Sequence, residues 1–253
     1  MLGKLLKYEF QAMGRILLPI YGILLVLGAL FGLSMRWSDD FGLRNITLGS
    51  LYVFGALALI IITLIMIIQR FYKNLLGNEG YLMFCLPATT GQHVANKIIS
   101  ATAWIIIGGI IGILSTFIFT ACSGFVSQPF HFDYLYQSFE KAGLVFVELI
   151  LLIIVSCADS VAKIFASIAI GHQWHNHRIL GAVLSYVGLS VAEMIVSNII
   201  MHNITHLTAY LNHPASIAVM ETYLLLLLVV VSILLAVYWF VTWYLLNKKL
   251  NLE

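Results

Sequence analysis

The chain has 253 residues, of which 61% are apolar and only 9% are charged, with a formal net charge of +2. Soluble domains run at about 45–50% apolar and about 25% charged, so a soluble fold of this length could not cover its surface with so few charges. Such hydrophobicity also excludes a disordered chain, and a near-neutral sequence without a basic patch is not a nucleic-acid binder.

The first segment, MLGKLLKYEFQAMGR, sets Lys4, Lys7, Gln11 and Arg15 at helical spacing, with Leu2, Leu5, Leu6, Met13 and Ile16 opposite. This pattern predicts an N-terminal amphipathic interfacial helix over 1–15, lying among lipid headgroups. The same basic residues also serve as a flank that orients the first span. The segment lacks the uninterrupted apolar core and the cleavage site of a secretory signal.

A transmembrane helix needs about 20 mostly apolar residues. Stretches near Ile16–Leu33, Leu48–Ile68, Ile98–Ala121, Ala142–Ile170, Ile179–Met201 and Thr222–Leu246 qualify. Their apolar runs are continuous and do not alternate, which predicts helices and not barrel strands. The expected fold is all-α: six transmembrane helices in a single membrane domain over 1–253. Lys4, Lys7, Arg15, Arg70, Lys73, Lys97, Arg178, Lys248 and Lys249 flank the side that holds both termini. Arg36, Arg44 and Lys141 flank the other. The excess of Lys and Arg on the first side makes it cytoplasmic. A cytoplasmic loop then covers 70–97, and outer loops cover 122–140 and 202–221. Trp37, Trp104, Trp239 and Trp243 fall near span ends, where interfacial rings settle. Cys85, Cys122 and Cys157 are too scattered for a disulfide framework or a metal motif.

The loop after span two reads QRFYKNLLGNEGYLMFCLPATTGQHVANK. Gly77 and Gly80 bracket Asn78 and Glu79, and Tyr81, Leu82, Met83, Phe84 and Leu86 follow, ended by Pro87. So many large apolar side chains are costly on an aqueous loop unless something covers them. A short helix carrying them would fit a groove on a partner protein, with Glu79 complementing the helix N-terminus. Lying on the bilayer is the competing reading of the same residues. Thr89 or Thr90 is placed to cap the following helix.

Six spans, cytoplasmic termini, an amphipathic start and the stretch GNEGYLMFCLP followed by a lysine resemble the permease subunits of bacterial ATP-binding-cassette exporters. The similarity is to the type-two permeases, which export drugs, polysaccharides and peptides. It covers the whole chain in layout and the first hundred residues in motif. The resemblance implies that Gly77–Pro87 is a coupling helix docking on an ATPase subunit, through Gly77, Glu79, Gly80, Tyr81, Leu82, Met83, Phe84, Leu86 and Pro87. It implies two ATPase copies, a second permease chain (identical or related) and a location in the bacterial plasma membrane. It also implies re-entrant helices between spans five and six. ATP and Mg would be bound by the ATPase, because this chain has no G-x-x-x-x-G-K-[ST] phosphate loop. By itself the chain is then not an enzyme and binds no cofactor.

Ionisable groups at bilayer depth are expensive and mark candidate sites. Asp159 and Lys163, four apart on one helix face, predict a local ion pair of structural kind. Glu148 and Glu193 fall at similar depth below the outer ends of spans four and five. Tyr186, Ser190 and Ser197 share a stripe with Glu193. These five are either pathway residues or polar contacts that join helices. Gly108, Gly112 and Thr116 form a small-residue face on span three, for contact within the chain or between chains. His172, His175 and His177 cluster in one turn, but no carboxylate or cysteine completes a metal set.

The leading expectation is an exporter permease working by alternating access on an amphipathic or apolar cargo, such as a peptide antibiotic or a drug. A proton-coupled secondary transporter using Glu148 and Glu193 is the alternative. An intramembrane enzyme ranks below both, for lack of a nucleophile–base pair.

Overall fold

The computed structural model describes the backbone of residues 2–37, 42–77, 88–124, 132–174, 177–210 and 217–248. All regular structure among them is helical. The helices are α1 (Leu2–Arg36), α2 (Leu43–Phe71), α3 (Thr90–Ser123), α4 (Phe132–Gly171), α5 (Arg178–Tyr210) and α6 (Ile217–Lys248). A single π turn, Tyr72–Leu76, extends α2. Each helix contains a stretch long and apolar enough to cross a membrane. Their outward surfaces are apolar: Phe54, Ile60 and Ile61 on α2, Ile113 and Phe117 on α3, and Val183 and Met194 on α5 are all exposed. In water these side chains would be a large penalty; in hydrocarbon they are solvated. The protein is a multi-pass membrane protein.

Several boundaries differ from the sequence expectations. The 1–15 segment is not set apart from span one, because α1 runs unbroken from Leu2 to Arg36 through Pro19. A proline removes one backbone donor, which a membrane helix tolerates where packing holds it. Two helices reach into segments that the sequence reads as loops. α4 starts at Phe132, inside the predicted 122–140 loop, and α5 continues to Tyr210, inside the predicted 202–221 loop. Described residues between spans five and six thus continue the two helices and form no separate re-entrant pair. Asn, His and Thr are poor guides to a helix end here, since a helix satisfies its own backbone whatever lies outside it.

The chain forms two compact units. The first contains Met1–Arg70 and Ile99–His131; the second contains Phe71–Ile98 and Phe132–Glu253. In the first unit, Met13, Leu17, Tyr21 and Leu24 make the buried stripe of α1. Trp104 of α3 stacks on Phe10 at 4.5 Å between ring centroids, and its carbonyl accepts a hydrogen bond from the Tyr21 hydroxyl. Trp104 is therefore a core residue and not the interfacial ring expected of it. Gly28 and Gly32 let α1 approach α3 closely. A β-carbon at Gly28 would meet the Ser115 hydroxyl at 2.8 Å, and one at Gly32 the Phe119 carbonyl oxygen at 2.6 Å. This is the G-x-x-x-G device of membrane helices, here in span one and not in the span-three face expected from the sequence. On α3, Gly108 faces Tyr21 and Leu59, whereas Gly112 faces open space. Thr116 bonds only back to its own helix. The predicted small face thus packs at one end only.

In the second unit, α4 packs against both α5 and α6. Val161, Ala162, Phe165 and Ala166 are fully buried along it. Ala162 and Ala166 are small and four apart, which lets the neighbouring helices come close.

Candidate functional site

Two features of the second unit bear on function. The first is how the ends of the α2–α3 connection are held. At one end Phe71 is completely buried, and its ring stacks on Phe165 of α4 with centroids 4.1 Å apart and planes 9° from parallel. The π turn that follows buries Leu75 and Leu76. A π turn adds one residue to the helical repeat, and such insertions are frequent at functional sites. At the other end Thr89 and Gln92 form a reciprocal capping box. The Gln92 backbone donates to Thr89 Oγ1, and the Thr89 backbone donates to Gln92 Oε1. Each orphan donor at the helix start gains a partner. The first turn of α3 then lies on α6: Gly91 faces Trp239 and Trp243, and Thr90 Oγ1 is 3.2 Å from Asn247 Oδ1. Of the predicted coupling residues only Gly77 is described, in extended backbone after the π turn. Glu79, Gly80, Tyr81, Leu82, Met83, Phe84, Leu86 and Pro87 lie outside the described residues.

The second feature is a set of charges inside spans four and five. A β-carbon on Gly171 would overlap the backbone of Ala182, so the helices of this hairpin nearly touch there and their register is set. Counting away from that point at about 1.5 Å per residue, Lys163 lies about 12 Å along α4, level with Ser190 on α5. Tyr186 and Glu193 are one turn to either side of Ser190. Lys163 engages both. Its Nζ is 2.7 Å from Glu193 Oε2 and 5.4 Å from the centre of the Tyr186 ring. Ion pairing and the aromatic face offset the cost of the ammonium at this depth.

The charge partners therefore differ from the sequence expectation. Lys163 pairs with Glu193 on the next helix, and not with Asp159 on its own. The ammonium takes the carboxylate that the hairpin register carries to it. Asp159 is only 3% exposed, and its Oδ1 has no hydrogen-bond partner among the described residues. Glu148 and Glu193 do not share a site. Glu148 precedes Lys163 by fifteen residues, about 22 Å along the helix, whereas Glu193 touches Lys163. Glu148 Oε2 is buried, without a hydrogen bond. Ser197 turns back to its own helix, donating to the carbonyl of Glu193. Of the predicted stripe, then, Tyr186 and Glu193 meet the lysine and Ser197 does not.

At the closed end of the α4–α5 hairpin, His172 Nε2 lies 3.5 Å from Arg178 Nη1, and its ring is near Tyr72. Burial, and then the Arg178 charge, lower its pKa, which favours the neutral imidazole. Among the described residues no group of three His, Cys, Asp or Glu is placed to hold a metal.

Compared with known proteins, the chain matches no family, no curated protein and no solved structure.

Proposed function

We propose that the chain is the membrane-spanning subunit of a bacterial ATP-binding-cassette exporter in the plasma membrane, with both termini cytoplasmic. It moves an amphipathic or apolar cargo, such as a peptide antibiotic or drug, outward by alternating access. Two ATPase copies, which hold ATP and Mg, dock on the 78–87 segment, and a second permease chain completes the pathway. The observation that carries this reading is that residues 71–98 group with α4–α6, although the spans they connect are α2 and α3. One foot of the segment is fixed to α4 through Phe71 and Phe165. The other is fixed to α6 through Gly91 and Trp243. A displacement imposed on the segment would reach α4 through the ring stack at Phe71 and α6 through the contact of Gly91 with Trp243. Phe165 is two residues from Lys163, so the same push reaches the charged set. The sequence resemblance supplies the identity of the companion that pushes.

The test is co-purification with the cassette ATPase encoded beside this reading frame, with ATP turnover measured in liposomes. Changing Tyr81, Met83 and Phe84 together to serine should abolish the complex, while the permease alone still folds. An undiminished complex would refute the docking. The alternative, a proton-coupled secondary transporter, rested on Glu148 and Glu193 acting together, and their separation weakens it. Cargo uptake driven by a pH gradient alone, in vesicles without an ATPase, would restore it.

A further inference from the structure

The geometry points to Asp159 as a proton-binding site, the neutral member of a three-residue set whose charged members are Lys163 and Glu193. Counting charge gives the reason. The ammonium and two carboxylates together would carry a net negative charge between spans, where an uncompensated charge is strongly penalised. One proton taken from water by one carboxylate makes the set neutral. The geometry says which carboxylate takes it. Glu193 Oε2 is in contact with Lys163 Nζ at 2.7 Å and is favoured as the anion. Asp159 is nine-tenths buried and more, with an oxygen that nothing among the described residues satisfies. An unpaired carboxylate oxygen in that position costs far more than the unpaired oxygen of a neutral acid. The charged groups whose fields reach Asp159 are Lys163 on its own helix and Glu193 on α5. From α6 the phenol of Tyr238, itself buried, feels both carboxylates.

Asp159 and Lys163 are one helical turn apart on the same face. If the ammonium moves from Glu193 to Asp159, the aspartic acid releases its proton and the glutamate must take one. The set stays neutral throughout, and the proton changes helix. This device does not depend on the identity of the energy source, so it stands or falls separately from the exporter reading.

The test is infrared spectroscopy of the full-length protein in lipid nanodiscs at neutral pH, with no ATPase present. Aspartate-specific 13C labelling identifies the carbonyl band of a protonated aspartic acid. The wild type should show one such band, shifted by the label and absent in Asp159→Asn. Glu193→Gln should lose the same band although Asp159 is intact, because Lys163 then has no other anion. Lys163→Met should keep it and add a protonated glutamate band that the label does not shift. Glu148→Gln should leave the labelled band unchanged. A wild type without a labelled band, or a Glu193→Gln protein that retains it, would overturn the proposal. If Asp159→Asn does not fold, the labelled wild type and the Glu193→Gln and Lys163→Met proteins still decide it.

Discussion

Lys163 shows how a single side chain organises a membrane helix hairpin. Carried by α4, its ammonium is shared between a carboxylate and an aromatic face of α5. The paired groups are 12% and 29% exposed, so the pair is partly open and its worth is below that of a fully buried one. Breaking such a pair from one side strands the other charge. Lys163→Met should therefore destabilise the protein by roughly 1–3 kcal/mol, less than the loss on breaking a fully buried pair. Adding Glu193→Gln to it should recover part of the loss. Thermal unfolding in one detergent, compared across the two single variants and the double variant, measures the coupling. The positions of Asp159, Lys163 and Glu193 were legible as ionisable groups in apolar stretches. Their pairing was not, because spacing along one helix makes Asp159 the nearer partner and only the hairpin register brings up Glu193.

At the scale of elements, the helices are held by small residues where they cross and by aromatic stacks where they end. α1 meets α3 through Gly28 and Gly32, with Ser115 donating to the Leu24 carbonyl across the contact. A side chain at Gly32 would strike the backbone of Phe119, which has no flexible end to move aside. Gly32→Leu should therefore cost on the order of 1–3 kcal/mol as an overpacked contact. Gly112→Leu, whose β-carbon meets open space, should be near neutral in the isolated chain. Unfolding midpoints of the two variants check the difference. The glycines of span three stand out in the sequence, but those of span one make the closer contact. Small residues at four-residue spacing permit close approach, and which partner accepts it is a property of the facing helix.

For the molecule as a whole, the two described ends of the connection between α2 and α3 are held against α4 and α6, through Phe71 and Gly91. If that connection carries force, weakening its anchor should separate ATP hydrolysis from transport. Phe71→Ala removes a fully buried ring from its stack on Phe165, a change worth roughly 3–5 kcal/mol in a well-packed core. Under the proposed exporter function, this variant should still bind the ATPase, since residues 78–87 are intact, and still hydrolyse ATP. Cargo efflux per ATP should fall several-fold. The ratio of efflux to hydrolysis is the measurement, and an unchanged ratio would mean that force takes another route.

Composition and apolar run length alone determined that this is a helical protein with six segments able to cross a bilayer. A backbone in hydrocarbon must satisfy its own hydrogen bonds, and uninterrupted apolar runs leave only the helix to do it. A cap at Thr89 or Thr90 was also legible, because capping is local, and the structure assigns it to Thr89. Tertiary structure decided the rest: that Trp104 is core, that Lys163 belongs to Glu193, that Glu148 stands apart, and that residues 71–98 side with α4–α6. Each of these depends on which face of one helix meets which level of another. Neighbours in sequence carry no record of that register, which is settled where glycines and alanines let backbones come close.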